Sequence, residues 1–220
     1  MRKEIPLWVM ENEPVKKPLV ELVLTSPVDY TINPDTYDSY WNALGVSYEP
    51  EELVNEYLKI SNDIYELFQP LFPTSSNFPL YERVMAIGIT FFTPSVYAEK
   101  VKRPWAAYYC TLEGIVQPLK PNKSLKKLFE DTIHEFGHAM DHLLNPLKFK
   151  ERKFAMYEMI AIFVEEKLGI REDYRKDHEY DKAQKILHGL YNTTFKGMSF
   201  AEQWNFLSPI VDHKELLKNK

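Results

Sequence analysis

Over residues 51–68 the apolar positions Leu53, Tyr57, Ile60, Ile64 and Leu67 recur at spacings of three and four, with Pro50 just ahead of them. That period gathers them on one face of a helix, and proline suits a first helical position because its missing N–H has no intrahelical partner there. A shorter helix is expected over residues 34–44, stopped by Gly45. Three segments rich in β-branched and aromatic residues, 19–25, 83–92 and 105–117, read as strands, with Glu113-Gly114 marking a bulge or bend in the third.

Beyond Pro121 the pattern is helical almost to the end. Asn122 or Ser124 can cap a helix that runs through Leu144 and stops near Pro146, and a second helix is expected from about Lys150 to Gly169. Ser199 with Glu202 three residues on has the spacing of a capping box, opening a late helix that contains Trp204 and Phe206. The fold class that follows is α+β, in one domain over residues 1–220. A small mixed sheet comes mostly from residues 1–120 and packs on helices mostly from residues 121–220.

Composition narrows the function classes. An apolar fraction of 45% with 14% aromatic residues supplies enough surface to offset the entropy of ordering, so the chain folds. A net charge of -5 opposes general attraction to phosphate-rich surfaces, and neither a nucleic-acid nor a membrane partner is expected. The one cysteine, Cys110, excludes an intrachain disulfide and a four-cysteine metal site. The longest apolar run, residues 159–164, is far below the roughly 20 residues that span a bilayer. With no export signal visible at the N-terminus the default expectation is a cytoplasmic protein, although a secreted form whose signal had been removed would read the same way.

The chemistry concentrates in His134-Glu135-Phe136-Gly137-His138, an HExxH pattern set well inside the helix expected after Pro121. Residues four apart share a helix face, so both imidazoles can point at one metal, while Glu135, rotated by about 100°, can reach a water on that metal. His134 and His138 are therefore candidate zinc ligands and Glu135 the candidate general base. A catalytic zinc usually takes three protein ligands. The metzincin solution is excluded, because Asp141 and Leu144 stand where that subclass places its glycine and third histidine. Glu158, 20 residues after His138 and flanked by the apolar run 159–164, is the leading third donor, with Glu165 or Glu166 as alternatives. A returning antiparallel helix would carry Glu158 back to the metal, and the small Ala161 would let the two helices pack closely.

Other residues near the motif carry weaker expectations. Gly137 inside a helix costs about 1 kcal/mol relative to Ala, which suggests close approach by a strand or by substrate. Asp141 and His142, one turn beyond His138, are candidates to orient a ligand imidazole, against the plainer reading of a surface ion pair. Lys148, Lys150, Arg152 and Lys153 form a basic cluster, read either as a solvated loop or as an attraction for an acidic substrate segment.

HExxH followed by the Glu158-Met159-Ile160-Ala161 helix resembles the gluzincin metallopeptidases. More finely, His134-Glu135-Phe136-Gly137-His138-Ala139-Met140-Asp141-His142 is similar to the anthrax lethal factor family, which includes the clostridial Pro-Pro endopeptidases; the similarity covers about residues 132–168. It implies a zincin-like fold, one zinc held by His134, His138 and Glu158, and a peptide or protein substrate bound in extended form, with the 105–117 segment as the edge strand that pairs with it. This chain has Ile162 where those relatives have a second glutamate, and Glu151 where they have an oxyanion-stabilising tyrosine. Its 20-residue interval is nearer to that of thermolysin-like enzymes. Since other gluzincins take the oxyanion group from a later segment, the candidates are Tyr157, His178, Tyr180, His188 and Tyr191, the last four ranked first.

The expected activity is zinc-dependent endopeptidase hydrolysis. Two alternatives stand beside it, a regulatory peptidase that cleaves a repressor-type protein and a non-catalytic binding module that keeps a peptidase fold. The intact Glu135 argues against the latter, which has no chemical need for it.

Overall fold

In a computed structural model the described residues are 20–23, 50–72, 80–92, 107–110, 114–119, 124–170 and 178–217. The elements run β1 (Val20–Val23), α1 (Pro50–Phe68) with a 3-10 turn (Gln69–Leu71), α2 (Leu80–Met85), β2 (Ile89–Phe92), β3 (Tyr108–Cys110) and β4 (Gly114–Pro118). Then come α3 (Leu125–Leu144), α4 (Pro146–Glu151), α5 (Phe154–Lys167), α6 (His178–Asn192), α7 (Phe200–Leu207) and α8 (Lys214–Leu217). The class is α+β, mostly helical. No helix among the described residues is long and apolar enough to cross a membrane.

The chain divides into two compact units, one from Met1–Asn62 with Tyr81–Thr132 and one from Asp63–Leu80 with Ile133–Lys220. The first unit holds a mixed four-stranded sheet in the order β1-β2-β4-β3. Strands β1, β2 and β4 are parallel, with Val20 opposite Ile89 and Ile89 opposite Ile115, and β3 returns antiparallel with Tyr109 opposite Ile115. Central β4 is buried along its whole length, as a strand paired on both sides and covered on both faces must be. Against the sheet, Phe91 of β2 meets Phe129 of α3 edge to face with ring centroids 6.0 Å apart. The Leu53, Tyr57 and Ile60 stripe of α1 is buried, and the Tyr57 hydroxyl donates to the Ile87 carbonyl.

Two expected strands need correction here. The start of the 83–92 segment, through Met85, is helical, because Leu80 and Val84, four apart, form a buried helical pair before the chain extends into β2. The 105–117 segment is two strands, with only β3 at the sheet edge and β4 inside. Gly114 starts β4 at φ +74°, and a Cβ there would lie 2.4 Å from the Gly88 carbonyl oxygen, so only glycine fits. The helix expected over residues 34–44 and the Asn122 cap lie outside the described residues.

The second unit is helical, and its central element is α5, buried at Ala155, Met156 and all of residues 158–165. A helix apolar on every side belongs inside the protein. It packs along α6, and Phe163 stacks on Phe200 of α7 at 5.5 Å. Phe68, on the buried stripe in place of the expected Leu67, meets Phe200 and Trp204 at 5.1 and 4.8 Å. The capping box at Ser199 forms in both directions, with Ser199 Oγ accepting from the Glu202 amide and the Glu202 carboxylate accepting from the Ser199 amide.

The helix expected from Lys150 to Gly169 begins only at Phe154, because Arg152 is extended (φ -60°, ψ 135°) and separates α4 from α5. Its guanidinium is buried, bonded to both oxygens of Asp141 and to the Ser208 and Ile210 carbonyls. At the far end Gly169 takes φ +80°, its amide bonds the Glu166 carbonyl and the Ile170 amide bonds Glu165, the pairing of a Schellman stop.

Candidate metal centre

Helix α3 starts where Ser124 Oγ accepts from the Lys127 amide, and its Ile133, Phe136 and Met140 are buried in the second unit. That orientation sets His134 and His138 on a neighbouring stripe, where both are buried. Helix α5 comes close at Gly137: a Cβ there would sit 2.6 Å from Ala161 Cα and 3.2 Å from its carbonyl oxygen. The element against Gly137 is thus the glutamate-bearing helix, rather than the strand or substrate expected from sequence. The close approach brings Glu158, one turn before Ala161, onto the histidines.

Glu158 Oε2 lies 3.0 Å from His134 Nε2 and 3.6 Å from His138 Nε2. One donor atom from each of the three residues falls within 4.8 Å of the others. Donors about 2.1 Å from a tetrahedral metal are roughly 3.4 Å apart, so the two measured separations bracket what one zinc-sized ion requires. Glu135 and Glu165 are buried beside them. Several carboxylates gathered around two imidazoles away from water make a pocket suited to a divalent cation, since buried negative charge is costly unless it is met. The three donors fit a metal.

The same contacts set how the metal-free site titrates. Burial alone would raise the Glu158 carboxyl, yet its contacts with His134 and His138 bring it down to about 2. Burial also lowers His138, and with the neighbouring His134 charge it falls to about 4 against the opposing pull of Glu158. For His134 burial acts downward too, but Glu158, Glu165 and the Glu135 charge together carry it well above its ordinary 6.5.

Aromatic rings frame the histidines. Tyr157 stacks on His138 with centroids 3.7 Å apart and planes at 13°, and Tyr180 lies tilted against His134 at 5.8 Å. Of the oxyanion candidates these two are next to the ligands. The contacts of the others run elsewhere: His178 to Glu179, His188 to Glu166, and Tyr191 to Phe195 and beneath the Lys167 ammonium.

Asp141 turns to Arg152 and Asn145 rather than to a ligand imidazole, and the ion pair it makes is buried, not on the surface. His142 packs on Phe149 at 4.7 Å. Arg152 accordingly leaves the basic cluster that sequence suggested. Nothing in its local sequence marks it as buried, because two of its partners are more than fifty residues away.

Glu165, considered from sequence as an alternative ligand, does not join the three converging donors. Its Oε2 lies 3.3 Å from His134 Nδ1, the ring nitrogen on the other side.

No protein-family model matches this chain, and no curated protein or solved structure matches it significantly.

Proposed function

We propose that the chain is a zinc-dependent endopeptidase of the gluzincin type on a zincin-like fold, with a site like that of the anthrax lethal factor family. The observation that carries this reading is the convergence of His134 Nε2, His138 Nε2 and Glu158 Oε2, with Glu135 next to His134 on the same helix. Two imidazoles and one carboxylate are a donor set that suits zinc better than calcium or magnesium, which take mostly oxygen. His134, His138 and Glu158 would hold the ion. Zinc there would supply Lewis acidity, lowering the pKa of a water to about 7 and polarising a carbonyl oxygen.

The chain's own residues supply the rest. Glu135 takes a proton from the attacking water, keeps it on its carboxylate and delivers it to the nitrogen of the departing amine. Its burial keeps bulk water from levelling that transfer. Tyr180, the nearest of the downstream phenols to a ligand ring, donates its hydroxyl to the oxygen that gains charge at the scissile carbonyl. Tyr157 holds the His138 ring by stacking. The substrate is a peptide or protein segment bound in extended form.

The test is cleavage of a mixed peptide library by zinc-loaded protein, with Glu135→Gln as control. The expected result is cleavage by the wild type and none by the variant, with zinc retained in both. Cleavage at an undiminished rate by Glu135→Gln contradicts the assigned base, and zinc uptake with no cleavage by the wild type contradicts the peptidase reading.

A further inference from the structure

His134 has a carboxylate oxygen at each ring nitrogen: Glu158 Oε2 at 3.0 Å from Nε2 and Glu165 Oε2 at 3.3 Å from Nδ1. Both come from α5, seven residues apart, which is two helical turns and about 10.5 Å of rise on one face. The buried Ile162 lies between them and offers no acceptor. The two nitrogens of an imidazole point apart, so a group at Nδ1 cannot share an ion with one at Nε2.

We infer that Glu165 is a positioning residue for His134, holding the hydrogen on Nδ1 so that Nε2 is left to bind zinc beside Glu158 and His138. The inference rests on the zinc reading above. Two observations favour it over a space-filling role. Glu165 is buried, and a carboxylate withdrawn from water is costly unless a partner meets its charge, so an apolar residue would fill the space more favourably. The carboxylate also serves one histidine in particular: Glu165 Oε2 lies 3.3 Å from His134 Nδ1, whereas the His138 ring is held by Tyr157 stacking. The Glu165 contact is within hydrogen-bond distance without the alignment of one, and on this inference it aligns when His134 binds zinc. A carboxylate accepting from the far nitrogen of a ligand histidine sets its tautomer and orientation and strengthens it as a donor, typically by 10- to 100-fold in metal affinity.

The experiment compares zinc-stripped full-length wild type with Glu165→Leu and Glu165→Gln. Zinc affinity is measured by competition with a chromophoric chelator, and the His134 Nδ1–H proton by NMR of the zinc-loaded protein. The expected result is a 10- to 100-fold weaker affinity for the leucine variant with its metal-free fold kept. For the glutamine variant a smaller loss is expected, with the Nδ1–H proton moved upfield from its far-downfield wild-type position. A purely structural Glu165 would alter stability without moving that proton. Wild-type zinc affinity in Glu165→Leu overturns the inference. Should that variant not fold, an unmoved proton and unchanged affinity in Glu165→Gln overturn it equally. Wild type that takes up no zinc removes the zinc reading itself, a different outcome from zinc-binding wild type with indifferent variants.

Discussion

Gly137 and Ala161 meet backbone to backbone, and a methyl group added to Gly137 would lie 2.6 Å from Ala161 Cα. This contact sets how near α5 comes to α3, and so whether Glu158 reaches the two histidines. In an exposed helix Gly→Ala stabilises by about 1 kcal/mol. Here the obstacle is backbone, which no rotamer change relieves. Gly137→Ala should therefore destabilise the fold by about 1–3 kcal/mol, as overpacking does, and weaken zinc binding as the helices part. Urea unfolding of the metal-free protein with a parallel zinc titration checks this; a stabilised variant with unchanged zinc affinity would show that the contact does not govern the site.

Arg152 ties Asp141, one turn beyond His138, to the Ser208 and Ile210 carbonyls. Removing the guanidinium strands a buried carboxylate, so Arg152→Met should cost about 3–5 kcal/mol. In Asp141→Asn/Arg152→Met the stranded charge is gone, and the loss should be smaller than the two single losses added together. A double-mutant cycle by denaturant unfolding measures this. Strict additivity would mean that the pair is not coupled.

Stability of the metal-free protein should depend on pH in a way set by the two histidines. His138 is lowered from 6.5 to about 4 in the fold, so between those values the unfolded chain binds the proton first. Its contribution is present above about pH 6.5 and lost as pH falls through 4. His134 is raised well above 6.5, so its contribution is present below 6.5 and lost as pH climbs through the raised value. Glu158, lowered from 4.5 to about 2, adds a further loss as pH falls through that range. Metal-free Tm should accordingly peak near pH 6.5, and His138→Phe should flatten the acid side of the peak. A Tm that rises steadily to pH 9 would contradict the His134 assignment.

Much of the site was legible in local sequence because its chemistry repeats with the helical period. His134, Glu135 and His138 are fixed by a motif on one helix, and the Ser199 cap and Gly169 stop are each set by residues within a turn or two. What local sequence withholds depends on partners brought together by the fold. The break at Arg152 exists because carbonyls more than fifty residues on accept its guanidinium, and its neighbours read as helix throughout. Glu165 could be placed at the site from sequence, but which nitrogen of which histidine it faces depends on how α5 lies on α3. The 83–92 segment looked like a strand because apolar β-branched residues suit both states, and the Leu80–Val84 spacing that makes α2 helical begins before it.

Tyr180 is tilted against His134 and lies on α6, a different helix from the α3 and α5 that carry the three donors. Tyr180→Phe should keep zinc and fold while lowering kcat by about 10²–10³, the usual loss of one oxyanion donor. Tyr191→Phe, whose ring lies against Phe195 instead, should leave kcat nearly unchanged. Steady-state kinetics on a library-derived peptide separates the two, and the reverse ranking would transfer the role to Tyr191.

The whole account rests on one ion at the buried three-donor cluster, and zinc stoichiometry tests it most directly. The protein is purified in metal-free buffer, supplied with zinc, desalted and assayed for bound metal beside Glu158→Ala. The account predicts about one zinc per chain in the wild type and a marked loss in the variant. Wild type that stays empty, or a Glu158→Ala protein that holds zinc as tightly as the wild type, would contradict it.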